Sequence, residues 1–428
     1  MERTREEIMP GVWLTALRTD KFKTDMLSIT LLSQLCRESA AMNAVIPSVL
    51  RRGTTRYPDM DSIAAELDEL YGAAAVPAVR RLGEIQAVGL ITSFPGDNYL
   101  PGGEKLLRKA VSLSGEILLS PNTRGGLFLP PYVDGEKQKL LEKIRGQIND
   151  KNTYAIQRLI ENMCACENFA VSRLGDESSA EAIGYQKLTR HYHELLASSP
   201  VEVFYCGGSD GYRIKSAVKE TLSILRRGNI NPDIGTDIRM NAVESEPRYF
   251  TESLDVNQGK LSIGWRLGEI MAEPDIAALR VFNAVFGGSV TSKLFMNVRE
   301  RLSLCYYASS VVDVHKGLLL VTSGIAFDQY EAAKAEIFAQ LDAIKRGEIT
   351  DGELDAARRG VASDLRAAMD SAAELESYWI SANVGGMDCA PDELAALCES
   401  VTREEIVAIA NSVECDAVYF LTGREAAE

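Results

Sequence analysis

Apolar and polar side chains alternate from Gly11 to Leu17 and again from Met26 to Leu32, with the polar stretch Thr19 to Asp25 between them. A period of two predicts strands, and two such runs across a short polar gap predict a hairpin. Met42, Val45, Ile46, Val49 and Leu50 then recur at three and four residues, which predicts a helix stopped by Gly53. Pro47 falls inside it, where a proline removes a backbone donor and crowds the preceding turn at about 3 kcal/mol unless the helix kinks. Near the middle, Pro200 to Gly208 predicts a buried strand running into a glycine turn, with a helix from Tyr212 to Leu225 behind it. Cys415 to Gly423 repeats that strand-into-glycine pattern, and Leu27-Ser28-Ile29 is echoed by Leu261-Ser262-Ile263. The echoes predict a tandem duplication of α+β halves joined through Arg226 to Glu246, a polar stretch with Gly228, Pro232 and Gly235 and no sustained apolar period.

The second half reads more easily. Strands are predicted at Cys305 to Val314 and Leu318 to Ala326 around the turn His315-Lys316-Gly317, and Ile337, Leu341 and Ile344 mark a helix ending at Gly347. Thr350-x-x-Glu353 and Thr402-x-x-Glu405 both fit the capping box, so a helix is expected to begin at each. The expected fold is mixed α+β in two domains, 1–226 and 247–428 with a linker at 227–246, each an antiparallel-dominated sheet with helices packed on one face.

With 46 basic and 61 acidic residues in 428, the net charge is −15, which argues against a nucleic-acid partner because a polyanion is held by clustered Lys and Arg. A hydrophobic content of 46% supplies a core. No apolar run approaches the roughly 18 residues of a membrane span, and the first residues lack a secretory apolar stretch, so a cytoplasmic protein without a membrane partner is expected. Eight cysteines without a C-x-x-C pair point to reduced, mostly buried thiols.

Candidate chemistry is sparse. Of three histidines, His191 and His193 lie two apart in a helical stretch and so face different sides, which speaks against a shared metal; His315 sits in a turn. Cys164-Ala165-Cys166 lacks further ligands at metal spacing, and Cys305 has no Cys/His signature, although Arg299 could supply an activating charge. Gly102-Gly103 and Gly287-Gly288 are glycine turns without the spacing of a phosphate cradle.

One run is more specific. Gly287-Gly288-Ser289-Val290-Thr291-Ser292-Lys293-Leu294-Phe295, followed by Arg299 and, seven residues on, Tyr306, resembles the C-terminal domain signature of the pitrilysin/insulinase zinc peptidases, which include the mitochondrial processing peptidases. Gln258 ahead of a strand and Arg346-Gly347-Glu348-Ile349-Thr350 before a long helix resemble the same family, so the likeness spans the chain. It implies two homologous α+β domains closing as a clamshell, with Gly287 and Gly288 at the substrate and with Arg299 and Tyr306 reaching toward a zinc site in an N-terminal domain. A guanidinium and a phenol are hydrogen-bond donors, and donors aimed at a developing oxyanion lower the barrier to amide hydrolysis.

The family's inverted zinc motif, H-x-x-E-H, holds zinc through two histidines one helical turn apart, with the Glu activating water. Aligned on Arg51-Arg52-Gly53-Thr54, its positions fall at Ala44, Pro47 and Ser48, and the third ligand falls at Lys143, with Glu142 beside it and Glu136 further back. A single carboxylate does not make a catalytic zinc site. Lys21-Phe22-Lys23-Thr24, Arg52 to Pro58, Leu67 to Ala73 and Asn149 to Ala155 resemble the YmfF-type non-peptidase branch, associated with modification of elongation factor P. The resemblance implies a subunit inert on its own, without metal or cofactor, in a dimer with a sister of similar length that carries the zinc and acts on peptide or unfolded polypeptide. A second reading keeps a peptide-binding scaffold with no catalysis, adding extended peptides to a sheet edge. The net charge favours basic or neutral peptides.

Overall fold

The computed structural model describes residues 1–270 and 272–424; the last four residues of the second expected domain lie outside them. The chain forms two compact units, one from Met1–Arg145, Val171–Gly235 and Asp370–Ser381, the other from Gly146–Ala170, Thr236–Met369 and Ala382–Glu428.

The first unit is built on β1 (Glu2–Met9), β2 (Val12–Arg18), β3 (Thr24–Gln34), β4 (Ala74–Leu82), β5 (Ile85–Pro95) and β8 (Val201–Gly207); β6 (Thr123–Arg124) and β7 (Leu127–Phe128) pair apart as a small ribbon. The order is β1-β2-β8-β3-β5-β4. The predicted hairpin of the second and third strands is not formed. Every residue of β8 is buried, and β8 lies between the two, parallel to β2 and antiparallel to β3. β2 turns back instead on β1, across Gly11 at φ 65. A fully buried strand must satisfy both of its hydrogen-bonding edges, and this central slot does so. The helix Ala40–Leu50 packs on this sheet with every residue but Ser48 buried, Pro47 included.

The second unit holds β9 (Arg248–Leu254), β10 (Gly259–Arg266), β11 (Cys305–Asp313), β12 (Leu318–Ile325) and β13 (Glu414–Gly423) in the order β11-β12-β10-β13-β9. Read from the other edge, this order repeats β2-β8-β3-β5-β4, and in each five-strand series the first pair, β9–β13 or β2–β8, is parallel while the rest are antiparallel; β1 adds an antiparallel edge to the first unit alone. The duplication is therefore visible in the topology. The echoed tripeptides occupy equivalent central strands, and Ser28 and Ser262 are both fully buried.

Helices lie on both faces of the second sheet, not on one. Trp265 of β10 meets Phe286 and Phe338 of the helices Glu273–Phe286 and Tyr330–Lys345. The opposite face receives the helix Lys151–Met163, whose Ala155, Leu159, Ile160 and Met163 cluster with Leu318, Leu320, Ala417, Tyr419 and Leu421. Gly264 of β10 makes room for it, since a Cβ there would lie 2.5 Å from Met163 Sδ. The first unit gains a segment of the later chain in return: Glu376 pairs with Arg80 of β4 at 2.7 Å and Trp379 lies under the Arg3 guanidinium of β1. Periodicity alone identifies these helices as amphipathic but not which sheet covers them.

Candidate functional site

The stretch from Ser292 to Tyr306 breaks regular geometry three times in succession. Leu294–Arg301 forms a π-helix, closed by Leu302 N–H donating to Asn297 O at 3.1 Å. Its buried side is Leu294 and Val298, and it is tied to the scaffold by Lys293 to Glu353 at 2.9 Å and Asn297 Nδ2 to Gln340 Oε1 at 2.8 Å. Ser303 then adopts φ 51, a left-handed conformation that costs energy for a side chain other than glycine. Finally β11 bulges between Cys305 and Tyr307, which oppose the consecutive residues Ile325 and Gly324 of β12, so Tyr306 has no partner in the ladder and turns outward, 67% exposed. π-turns, left-handed residues and bulges each cost stability and collect where a side chain must be aimed.

These irregularities present Arg299 and Tyr306 to solvent. The Arg299 guanidinium stacks over Phe295 at 4.7 Å, with Glu300 at 3.4 Å, and is otherwise open. Val290, Met296 and Leu302 of the same stretch are exposed apolar neighbours. Burial raises the Cys305 thiol pKa although the Ser323 hydroxyl and the Arg299 charge pull it down, which leaves this thiol a poor nucleophile.

Gly287 and Gly288 end the helix Glu273–Phe286, both donating their N–H groups to Asn283 O. A Cβ on Gly287 would sit 2.7 Å from Leu294 Cδ1 and 2.8 Å from Ser310 N, and its carbonyl accepts from Ser310 N–H at 3.1 Å. The glycine pair thus lets the π-helix and β11 approach closely.

On the helix Ala40–Leu50, Ala44 and Pro47 are buried apolar groups and Ser48 is half-buried. A methyl, a pyrrolidine ring and a hydroxyl do not fit zinc. Lys143 is exposed on the helix Pro130–Gly146, as is Glu142, while Glu136 is buried and accepts from Arg52 Nε at 2.6 Å and Lys139 Nζ at 2.9 Å. Among the described residues no three His, Cys, Asp or Glu side chains are grouped to hold a metal ion. The neighbourhood is instead knitted by neutral groups. His191 Nε2 donates to Asn43 Oδ1 at 2.6 Å, and Asn43 Nδ2 reaches Gln86 Oε1 at 2.9 Å and Ser33 Oγ at 3.0 Å. Burial lowers the His191 pKa and favours the neutral ring, whose Nε2–H makes this bond.

All eight cysteines are free thiols. Cys164 is buried, its pKa pushed up to about 12 chiefly by burial, whereas Cys166 is exposed.

Two α+β units thus share one strand order, and the helix Ala40–Leu50 carries Ala44, Pro47 and Ser48 where the resemblance places the zinc motif. The model of the peptidase M16 inactive domain matches residues 182–361. The chain is 31% identical over 418 residues to the "Probable inactive metalloprotease YmfF" of Bacillus subtilis (strain 168), covering 97% of each protein. It therefore belongs to the M16 peptidase family and is similar along its length to the YmfF protein. Among solved structures, a conserved protein from Enterococcus faecalis V583 superposes with a TM-score of 0.88 at 26% identity, covering 99% of both chains. A peptidase M16 inactive domain from Pseudomonas fluorescens superposes with a TM-score of 0.79 over 99% of this chain and 98% of that one; at 14% identity it speaks for the fold alone. No described helix is long and apolar enough to cross a membrane.

Proposed function

We propose that this protein is the non-catalytic subunit of a two-chain M16 peptidase, lending Arg299 and Tyr306 to peptide bound at the zinc site of a sister chain. The observation that carries the reading is an asymmetry. The zinc-motif positions Ala44, Pro47 and Ser48 offer no nitrogen ligand, yet Arg299 and Tyr306 are held out to solvent by a π-helix, a left-handed serine and a bulge. Decay of function removes aimed side chains as readily as ligands; strain maintained for an exposed donor pair supports continued use. The sister supplies the metal and the water. This chain supplies the guanidinium, a permanent cation with fixed donors, and the phenol, both suited to an oxygen that gains negative charge.

The test is to assay a quenched-fluorescence peptide pool with a zinc-bearing sister of similar length, alone and with this chain. Addition should raise turnover at least tenfold, and Arg299→Ala should abolish the gain, since one lost oxyanion donor is worth roughly 100-fold or more. Unchanged turnover on addition, or full activity with the variant, refutes the proposal. The alternative, a peptide-binding scaffold without catalysis, draws on β11 standing at the edge of its sheet. It expects peptide binding by this chain alone, with Arg299 as a clamp on the peptide, and no effect on a sister's turnover.

A further inference from the structure

The strand β10 carries two charged side chains, Lys260 and Arg266, both more than nine-tenths buried, and they are treated differently. Arg266 is neutralised by Glu167 and Asp416. Lys260 is held by the Gln258 side-chain oxygen and the face of the Tyr307 ring, 5.4 Å from its centre, and among the described residues no carboxylate pairs with it. An ammonium has three donors, so this buried cation retains donor capacity that neither partner uses. Burying a cation beside neutral partners alone is costly, and burial lowers the Lys260 pKa against the opposing pull of Asp150.

Lys260 lies in the wall of a cavity of about 480 Å³ within the second unit, lined also by Asn149, Asn152, Asp255, Asn257 and Gln258. The amides supply neutral donors. Asp150 also borders the cavity, but it caps the helix Lys151–Met163, accepting from Asn152 N, Thr153 N and Thr153 Oγ1. The Lys151 ammonium is engaged by the Ile148 carbonyl. The wall around Lys260 is fixed in place: Tyr307 OH donates to Asn152 Oδ1 at 2.8 Å. Gly324, opposite Lys260 in the ladder, clears the space, since a Cβ there would lie 2.5 Å from the Tyr307 ring and 3.1 Å from Gln258 Oε1. A rigid polar cavity with one under-compensated buried cation is complementary to a small anion with two acceptor oxygens.

We propose that this cavity binds a carboxylate group, with Lys260 as its counter-ion and the side-chain amides of Asn152, Asn257 and Gln258 as its hydrogen-bond donors. The carboxylate is that of a chain terminus or of an acidic side chain. Only this origin rests on the peptide-binding reading given above; the site itself needs neither a sister chain nor Arg299.

The test uses the full chain labelled with 13Cε-lysine, with the Lys260 signal assigned from its loss in Lys260→Met. The probes are N-acetylglycylglycine for a terminal carboxylate, N-acetylaspartic acid α-amide for a side-chain carboxylate, and N-acetylglycylglycinamide as the neutral control. At least one acid should shift the Lys260 signal saturably and bind at least tenfold more tightly than the control; whichever acid binds tighter identifies the source. Calorimetry should show binding lost in Lys260→Met and kept within about threefold in Lys260→Arg. The exposed rim variant Asn257→Leu, which leaves the buried strand intact, should weaken binding severalfold even if Lys260→Met does not fold. Control and acids binding alike, no saturable shift with either acid, or undiminished binding in Asn257→Leu together with a folded Lys260→Met overturns the proposal. Gain of peptidase turnover with a sister chain is read separately, so failure here leaves that reading standing.

Discussion

Glu167 is the point at which the transfer of residues 146–170 into the second unit becomes testable. Its carboxylate, 1% exposed, accepts from Arg266 Nη2 at 2.6 Å and Nη1 at 3.2 Å and pairs with Lys316 Nζ at 2.6 Å, and both cations are fully buried. Arg266 keeps Asp416 at 2.7 Å when Glu167 is removed, whereas the fully buried Lys316 loses the Glu167 carboxylate and keeps its bond to the Asp237 carbonyl. Deleting one partner of a buried pair costs about 3–5 kcal/mol, because the remaining charge is left uncompensated. Glu167→Ala should fall in that range, and Glu167→Gln, which keeps one acceptor oxygen, somewhat below it. Urea unfolding can be followed through Trp265, the buried tryptophan of β10, in a Trp13→Phe, Trp379→Phe background. With a slope of roughly 2–3 kcal/mol/M, the midpoint should drop by about 1–2.5 M.

The pH dependence gives a second handle with a fixed sign. Burial acts to raise the Glu167 pKa, but the hydrogen bonds from Arg266 and Lys316 outweigh it and hold the carboxyl below its ordinary 4.5. A depressed folded-state pKa stabilises above the unfolded value, and that contribution is lost as the pH falls through the folded one. The gap between wild type and Glu167→Gln should therefore be full at pH 7 and narrow below about pH 4.5. A loss under about 1 kcal/mol at pH 7, or a gap that widens in acid, would refute the claim that this network anchors the segment.

Two further outcomes follow from the same geometry. Gly287→Ala places a methyl 2.8 Å from the Ser310 backbone nitrogen, which cannot move like a side chain, so overpacking should cost about 1–3 kcal/mol by urea unfolding. Under native conditions iodoacetamide should alkylate the exposed Cys166 well before its neighbour Cys164, held back by burial and a pKa pushed up to about 12; equal rates by peptide mass spectrometry would contradict the fold there.

Strands β2, β3, β8 and β10 to β13, the capping boxes at Thr350 and Thr402 and the duplicated halves were legible because each is a local pattern with one geometric solution, whereas β1, β4, β5 and β9 were not read. The placement of β8 was not. Its run of buried residues is equally compatible with any central slot, and the polar stretch after β2 spans the gap as easily as it would turn a hairpin. The placement of the helix Lys151–Met163 was hidden for a related reason: Ala155, Leu159 and Met163 show a buried face but carry no mark of which sheet buries it. A signal did exist in Arg266 and Lys316, charged residues in or beside strands of otherwise apolar character, which demand buried carboxylates from somewhere in the chain. Glu167 answers that demand.

The candidate site divides along the same line. Arg299 and Tyr306 were singled out by the resemblance of their stretch to the family signature, but that resemblance does not show that the backbone between them is irregular at Leu294–Arg301, at Ser303 and at Tyr306. Those irregularities matter more than the residue types, since an arginine and a tyrosine on regular elements serve equally well as an ion pair and a strand-face filler. Lys260 shows the converse. Its neighbour Gln258 stood out in the sequence, while the lysine became informative only when its burial, the cavity beside it and the lack of an ion pair among the described residues were set against the fully compensated Arg266 on the same strand. A charge is diagnostic by what faces it. The two cations of β10 therefore separate a structural use of buried charge from one still open to a ligand.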